Sequence, residues 1–401
     1  MTEQLPVIIA GSGPAGCTLA LYLAQQGIPL LLLEREAELP VDLRASTFHP
    51  PSLEMLNELG VAAPMIARGL IVERYQYRDR RSGEVAEFDM SAIADETLFP
   101  YRLQLEQYEL TRIVHRVLAQ YDCADIRFEH EVVGFSQDMS GVDVVVETNS
   151  GTRTLRGSFL VGADGAGSNV RKAAGIDYSG FTYDERFLVA STSFPFEEVF
   201  DDLAWVNYVS DPDEWCVILR TEKLWRVLWP TDPANSDESH YLSDEYLQER
   251  LHHLYDKEGD YDIGHRTLYH VHQRVAERYC QGRVVLVGDA CHINNPLGGM
   301  GMNGGLHDAF NLAQKLTEIL LHKADSTELL ELYDRQRREL AVQFVQQHTI
   351  ANKKLMESTD PDVQSKRQRD LMDTASDPAR AKAFIMERAM FDSLRESLAL
   401  S

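Results

Sequence analysis

Apolar residues along the first part of the chain come in two spacings, and each predicts an element. Residues 5–10 are an apolar run ending at Gly11, residues 15–26 repeat at helical period and stop at Gly27, and residues 30–33 are a second apolar run closed by Glu34. Strand, helix and strand within roughly 30 residues is the length of one parallel βαβ unit. Residues 51–59 read as a helix closed by Gly60, and 71–88 as strands around the Ser82, Gly83 hairpin signal. A helix is expected over 106–121 and a strand meander over 125–148, with turns at Gly134 and Gly141. Residues 159–163 and 284–287 are again short buried runs, each leading into a glycine-rich turn and a helical pattern. Between them, 187–269 is rich in aromatic and β-branched residues and holds all four tryptophans, Trp205, Trp215, Trp225 and Trp229. That composition predicts a separate antiparallel sheet. Helices are expected over 306–321 and 328–354, and Asp377 before Pro378 supplies an N-cap and a first-turn proline for a last helix.

Composition changes this picture little. A chain of 401 residues, 44% hydrophobic and 25% charged, is expected to form two domains with a smaller appendage. A net charge of -24 argues against nucleic acid or an anionic membrane as partner, because both would be repelled at long range. The five cysteines form no C-x-x-C pair, so neither a disulfide framework nor a metal site is expected. With no basic, apolar leader pattern at residue 1 and no stretch of membrane-spanning length, the expected location is cytoplasmic.

Three motifs carry the chemistry. The first is Gly11, Ser12, Gly13, Pro14, Ala15, Gly16 between a strand and a helix, with Glu34 at the end of the next strand. Glycines permit a tight turn and close backbone approach, a pyrophosphate sits on the helix N-terminus, and Glu34 accepts ribose hydroxyl protons. This motif alone does not separate FAD from NAD. The second runs from Val161 to Arg171 through Asp164, Gly165 and Ser168. Its bland reading is a strand-to-helix turn capped by Asp164 or Ser168, which leaves Arg171 without a role. The third is Gly288, Asp289, Ala290, His292, Pro296, Gly298, Gly299, Gly301, Asn303, Gly304, Gly305. So many glycines are expected where backbone amides approach a ligand.

In this order and spacing the motifs resemble those of the class A flavoprotein monooxygenases related to p-hydroxybenzoate hydroxylase, over roughly the first 345 residues. The resemblance implies an α/β chain: a Rossmann-type (GR2-like) FAD-binding domain from 1–70, 104–181 and 276–345, an inserted antiparallel-sheet substrate domain from 71–103 and 182–275, and a C-terminal helical segment, 346–401. It implies a hydroxylase acting on a phenolic or heteroaromatic ring with O2 and NADPH or NADH, through a flavin C4a-hydroperoxide, as a monomer or homodimer. FAD would be held by Gly11, Gly13, Pro14, Ala15, Gly16, Glu34, Arg35, Arg44, Gln107, Asp164 and Asp289. Pro296, Gly298, Gly299, Gly301, Met302 and Asn303 would face the flavin ring. Pro296 would lie beside the reacting face; His292 is either a site residue or a satisfied structural histidine. Tyr208, Arg220 and Trp229 are the substrate candidates, and Asp164, Ser168 and Arg171 those for NAD(P)H. Baeyer-Villiger oxygenation or flavin-linked reduction on the same scaffold, and a non-catalytic flavin-binding module, are the alternatives. The stretch from Trp225 to Pro230 lacks the halogenase pattern Trp-x-Trp-x-Ile-Pro.

Overall fold

The computed structural model describes residues 4–41, 45–211, 214–357 and 360–400. Arg44 therefore lies outside the described residues. The strand runs read as buried pair into one six-stranded sheet in the order Cys280–Gln281, Val284–Leu286, Phe159–Gly162, Val7–Ala10, Leu30–Leu33, Ala124–Arg127. All its pairings are parallel except that of Cys280–Gln281 at the edge. Val7–Ala10 has Leu30–Leu33 on one side and Phe159–Gly162 on the other, so the chain order reverses there. In a doubly wound sheet the crevice at such a reversal, beyond the carboxyl ends of the strands, is where ligands bind.

A second, eight-stranded sheet runs His292–Ile293, Ile263–Ala276, Tyr178–Thr192, Trp225–Pro230, Cys216–Arg220, Val206–Ser210, Arg74–Asp79, Gly83–Asp89. It is antiparallel but for one junction, where Val206–Ser210 runs parallel to Arg74–Asp79, a pairing between distant segments that periodicity cannot reveal. Its two faces are buried differently. Trp225, Val227, Trp229 and Ile218 pack with Phe196 and with Leu247 and Leu251 of the helix Asp244–Leu254. Tyr208, Trp215 and Val217 belong to the opposite cluster, with Phe88, Ile385 and Met386 of the C-terminal helices. Period-two alternation along each strand makes this division possible.

Several boundaries differ from the pattern reading. Gly134 is not a turn: the strand His130–Gln137 continues through it with a bulge, Val145 facing Gly134 and Val146 facing Val132. The reversal before that strand uses Glu129 at φ 56. The helix expected over 306–321 begins at Met300, because the glycines at its start hide its periodicity. The one expected over 328–354 is interrupted by a π-helical turn, Ala341–Gln346, and a further helix, Pro361–Ser376, precedes the last two. Asp377 caps Pro378–Arg388 as expected, accepting from the amides of Ala379 and Arg380 at 2.9 and 3.0 Å. Among the described residues no helix is long and apolar enough to cross a membrane.

Candidate active site

The glycines of the first motif do three different jobs. Gly11 has φ 103, and a Cβ there would meet the Ala163 carbonyl oxygen at 2.4 Å. At Gly16 a Cβ would lie 2.1 Å from the Gly11 carbonyl oxygen, so both are fixed by close packing of strand, turn and helix. Gly13 has nothing within 4 Å of its added Cβ, yet it lines the main cavity at the N-terminus of the helix Pro14–Gln25. The space before Gly13 is thus left open at the point where orphan amides favour an anion. Glu34 is buried and accepts from the Ser12 amide at 2.9 Å and the Glu36 amide at 3.1 Å, holding the turn while lining the cavity. His115 braces the turn from behind, 2.6 Å from Ser12 Oγ, and burial lowers its pKa to about 4. Arg35, beside Glu34, lines the rim and pairs with Glu36.

The cavity is about 1160 Å³ and runs from this turn to the eight-stranded sheet. That exceeds the roughly 300–1,000 Å³ of a single small-molecule pocket, and suits a dinucleotide with a second ligand beyond it. Gln107, Asp164, Asp289, Pro296, Gly298, Gly299, Gly301 and Met302 all lie on its wall. The loop before Met300–Leu321 needs left-handed backbone at Gly298 and Gly299, φ 101 and 68. Among the described residues no side chain caps that 22-residue helix, and no acid lies in its first turn, so its positive end is open to negative charge.

Four expected site residues of the second and third motifs do not reach the cavity. Asn303 is fully buried, accepting from the His49 amide at 2.9 Å and donating to the Thr47 and Gly299 carbonyls at 2.8 and 2.7 Å. It shapes the loop instead of touching a ligand. His49 adds a second tie, with Nε2 2.8 Å from the Gly298 carbonyl oxygen; burial, aided by the nearby Arg102 charge, lowers its pKa to about 3, so the neutral ring donates. Ser168 caps the helix Asn169–Ala173 through the Arg171 amide at 2.9 Å. Arg171 donates to the carbonyls of Ala290 and Ala166, each at 2.8 Å, and stacks 3.9 Å over Tyr178. It therefore ties the second motif to the third, and of the NAD(P)H candidates only Asp164 lines the cavity.

His292 is the fourth. It is 3% exposed, with Nε2 2.7 Å from Asp308 Oδ2, while Arg337 Nε donates to Asp308 Oδ1 at 2.7 Å. Cys291, His292 and Asp308 lie close enough to suggest a metal, but Asp308 is already neutralised by a buried guanidinium. The group is a structural knot under the third motif. Burial alone would raise the Asp308 carboxyl; the charges and hydrogen bonds of His292 and Arg337 outweigh it and hold it well below the usual range. A carboxylate with depressed pKa stabilises fully above its unfolded value, about 4, and loses that contribution as pH falls towards the native one. Asp308→Ala would strand Arg337 and is expected to destabilise the fold by about 3–5 kcal/mol in urea titration at pH 7. The gap from wild type should narrow at acid pH, and a loss under 1 kcal/mol at pH 7, a limit set at about a third of that range, would refute the ion pair's role.

On the sheet side the reading of faces was reversed for two residues. Leu219, Leu228 and Val217 line the cavity, so Arg220 and Trp229, one position along their strands, point away. Arg220 lies 3.9 Å from Glu197, and Trp229 is buried in the opposite core. Tyr208 does line the cavity. Sequence reasoning missed Arg102, a cavity-lining arginine 3% exposed, in the strand Arg102–Gln104. Its guanidinium sits 4.0 Å over Tyr75 and donates to the Tyr208 hydroxyl at 3.4 Å. Among the described residues it has no carboxylate partner within ion-pair distance, and its Nε is buried without a hydrogen bond, whereas Arg226, also on the cavity wall, is paired with Glu106 at 2.7 Å. A charged residue inside an otherwise buried strand was the available signal.

Comparison with known proteins agrees with this geometry. The profile of a family described as FAD binding domain matches residues 4–348. The chain is 30% identical over 390 residues to para-nitrophenol 4-monooxygenase of Pseudomonas sp. (strain WBC-3), covering 95% of this chain and 94% of that one. It is 31% identical over 354 residues to 6-hydroxy-3-succinoylpyridine 3-monooxygenase HspB of Pseudomonas putida (strain DSM 28022 / S16), covering 86% and 87%. The crystal structure of p-nitrophenol 4-monooxygenase PnpA from Pseudomonas putida DLL-E4 superposes with a TM-score of 0.91 at 29% identity, over 98% of this chain and 99% of that one. The monooxygenase PieE, in complex with FAD and substrate, superposes at 0.78 with 25% identity, over 99% and 72%.

Proposed function

The chain belongs to the FAD-binding-domain family of class A aromatic hydroxylases and is an FAD-dependent monooxygenase; on that premise we propose that its substrate is a small acidic phenol, held as the phenolate against Arg102. The observation that carries this reading is the buried Arg102 guanidinium, without a carboxylate partner among the described residues, on the wall of a cavity whose sheet side includes Val189, Tyr208, Val217, Leu219, Arg226 and Leu228. A buried charge with no counter-ion is unfavourable, and an anionic ring bound beside it would supply the missing partner.

The residues fit FAD. Ala15 and Gly16 amides behind the open space at Gly13 would take the pyrophosphate, Glu34 the adenosine ribose, Gln107 and Asp289 the chain leading to the ring. The Gly298–Met302 amides would face the edge of the ring that becomes negative. When bound, FAD supplies acceptance of a hydride from NADH or NADPH and activation of dioxygen. The protein's part is positioning. Arg102 keeps the hydroxyl ionised, which activates the ring positions ortho and para to it, and fixes one end of the ring, while the valines and leucines hold its faces. Tyr208, steadied by Arg102, lies on the same wall. Pro296 borders the cavity in a turn closed by the Gly299 amide at 3.0 Å.

Assays of NADH and NADPH oxidation with phenols of graded acidity test this. Phenols ionised at assay pH are expected to stimulate oxidation most and to gain one oxygen atom by product mass. Hydrogen peroxide as the sole product for every phenol, or no stimulation, would refute it.

A further inference from the structure

Beyond Tyr208 and Leu297 the main cavity adjoins a second chamber of about 440 Å³, and those two side chains line both. The sheet supplies one side of this chamber through Tyr77, and the C-terminal helices supply the rest. Its charge runs against that of the protein. Among the described residues Lys366, Arg367 and Arg388 line it against one carboxylate, Asp370, in a chain of net charge -24.

The aromatic faces form a continuous path inward. Phe384 meets Tyr77 edge-on at 6.1 Å, Tyr77 stacks on Tyr208 at 5.1 Å, and the Tyr208 hydroxyl accepts from Arg102 at 3.4 Å. Cations flank the same rings, with the Arg367 guanidinium 5.7 Å from Tyr77 and that of Arg388 4.9 Å from Phe384. A planar anion is matched by such a surface twice over, by guanidinium charge and by ring stacking. Burial pushes the Arg367 guanidinium below its ordinary value, with Tyr77 opposing and the Arg388 charge adding to the fall.

We propose that this chamber is the port through which an aromatic anion reaches Arg102, with Tyr208 and Leu297 as the gate between the two cavities. The C-terminal helices then have a function in this protein besides covering the sheet. The inference rests on the phenolate reading of the main cavity, and its test separates the two.

A port differs from a binding site in its kinetics: narrowing it slows entry and exit together and leaves the equilibrium unchanged. With the FAD-loaded enzyme, binding of a nitrophenolate and of a neutral phenol is followed by stopped-flow perturbation of flavin absorbance. Val363→Trp, at an exposed position on the chamber's lining, is expected to lower association and dissociation rates about tenfold alike, with Kd within twofold. Lys366→Glu, also exposed and so tolerated by the fold, is expected to slow nitrophenolate association about tenfold, less so at high salt, and to leave the neutral phenol within twofold. Unchanged rates in both variants would overturn the port while leaving phenolate hydroxylation standing, and so would a change in Kd carried by dissociation alone. A wild-type enzyme whose flavin responds to no phenol would remove both readings.

Discussion

Arg102→Met is expected to lower kcat/KM for an ionised phenol by on the order of 10²–10³-fold, the scale for removing one partner of a buried charge pair. Ordinary structural arginines, when removed, leave a carboxylate stranded and destabilise the protein. Arg102 has no carboxylate partner among the described residues, so methionine, which gives up the guanidinium contact with Tyr75 but also removes a buried charge, is expected to leave Tm equal or higher. The joint result, a large kinetic loss with no loss of Tm, distinguishes a substrate anchor from a packing residue. A fall of several degrees in Tm with kcat/KM intact would show that Arg102 serves the fold alone. Steady-state kinetics with an acidic phenol and a thermal melt of the same preparation decide between them.

The second large effect is expected at Gly13. Its backbone, φ -74 and ψ -178, is extended and open to any residue, and the described residues place no atom within 4 Å of an added Cβ. Gly13→Val should therefore fold, yet its side chain would fill the space where a pyrophosphate meets the helix N-terminus. We expect FAD affinity to fall at least 100-fold, about 2.7 kcal/mol, read as flavin absorbance per protein with an unchanged far-ultraviolet circular dichroism spectrum. Gly16→Ala is the contrast, because its Cβ would collide with the Gly11 carbonyl and should impair folding itself. Full flavin retention by Gly13→Val would place the dinucleotide elsewhere.

Much of the site was legible because its signals are local. A strand, a glycine turn and a helix are specified within a few residues, since the turn needs left-handed backbone or a missing Cβ at fixed positions, as at Gly11, Gly298 and Gly299. Alternation over Trp225–Pro230 likewise showed that the strand has two unlike faces. It could not show which face meets the ligand, and there Trp229 and Arg220 were placed on the wrong side. Of the motif residues offered as ligand contacts, Ser168, Arg171, His292 and Asn303 are all bonded to protein groups, which agrees with the capping reading of Ser168 and the structural reading of His292.

By itself, then, the sequence determined the dinucleotide-binding half: where backbone must turn, where helix N-termini end unprotected, and which strands are buried on both sides. Only the tertiary structure decided the substrate half. Which face of the eight-stranded sheet borders the cavity depends on strand order, including the parallel pairing of Val206–Ser210 with Arg74–Asp79, and on the C-terminal helices that cover part of it. Arg102 is a buried cation on the cavity wall because Tyr75 and Tyr208, distant in the chain, close around it and no carboxylate does so among the described residues. Backbone requirements act over a few bonds, whereas the environment of a charge is set by whatever the fold brings beside it.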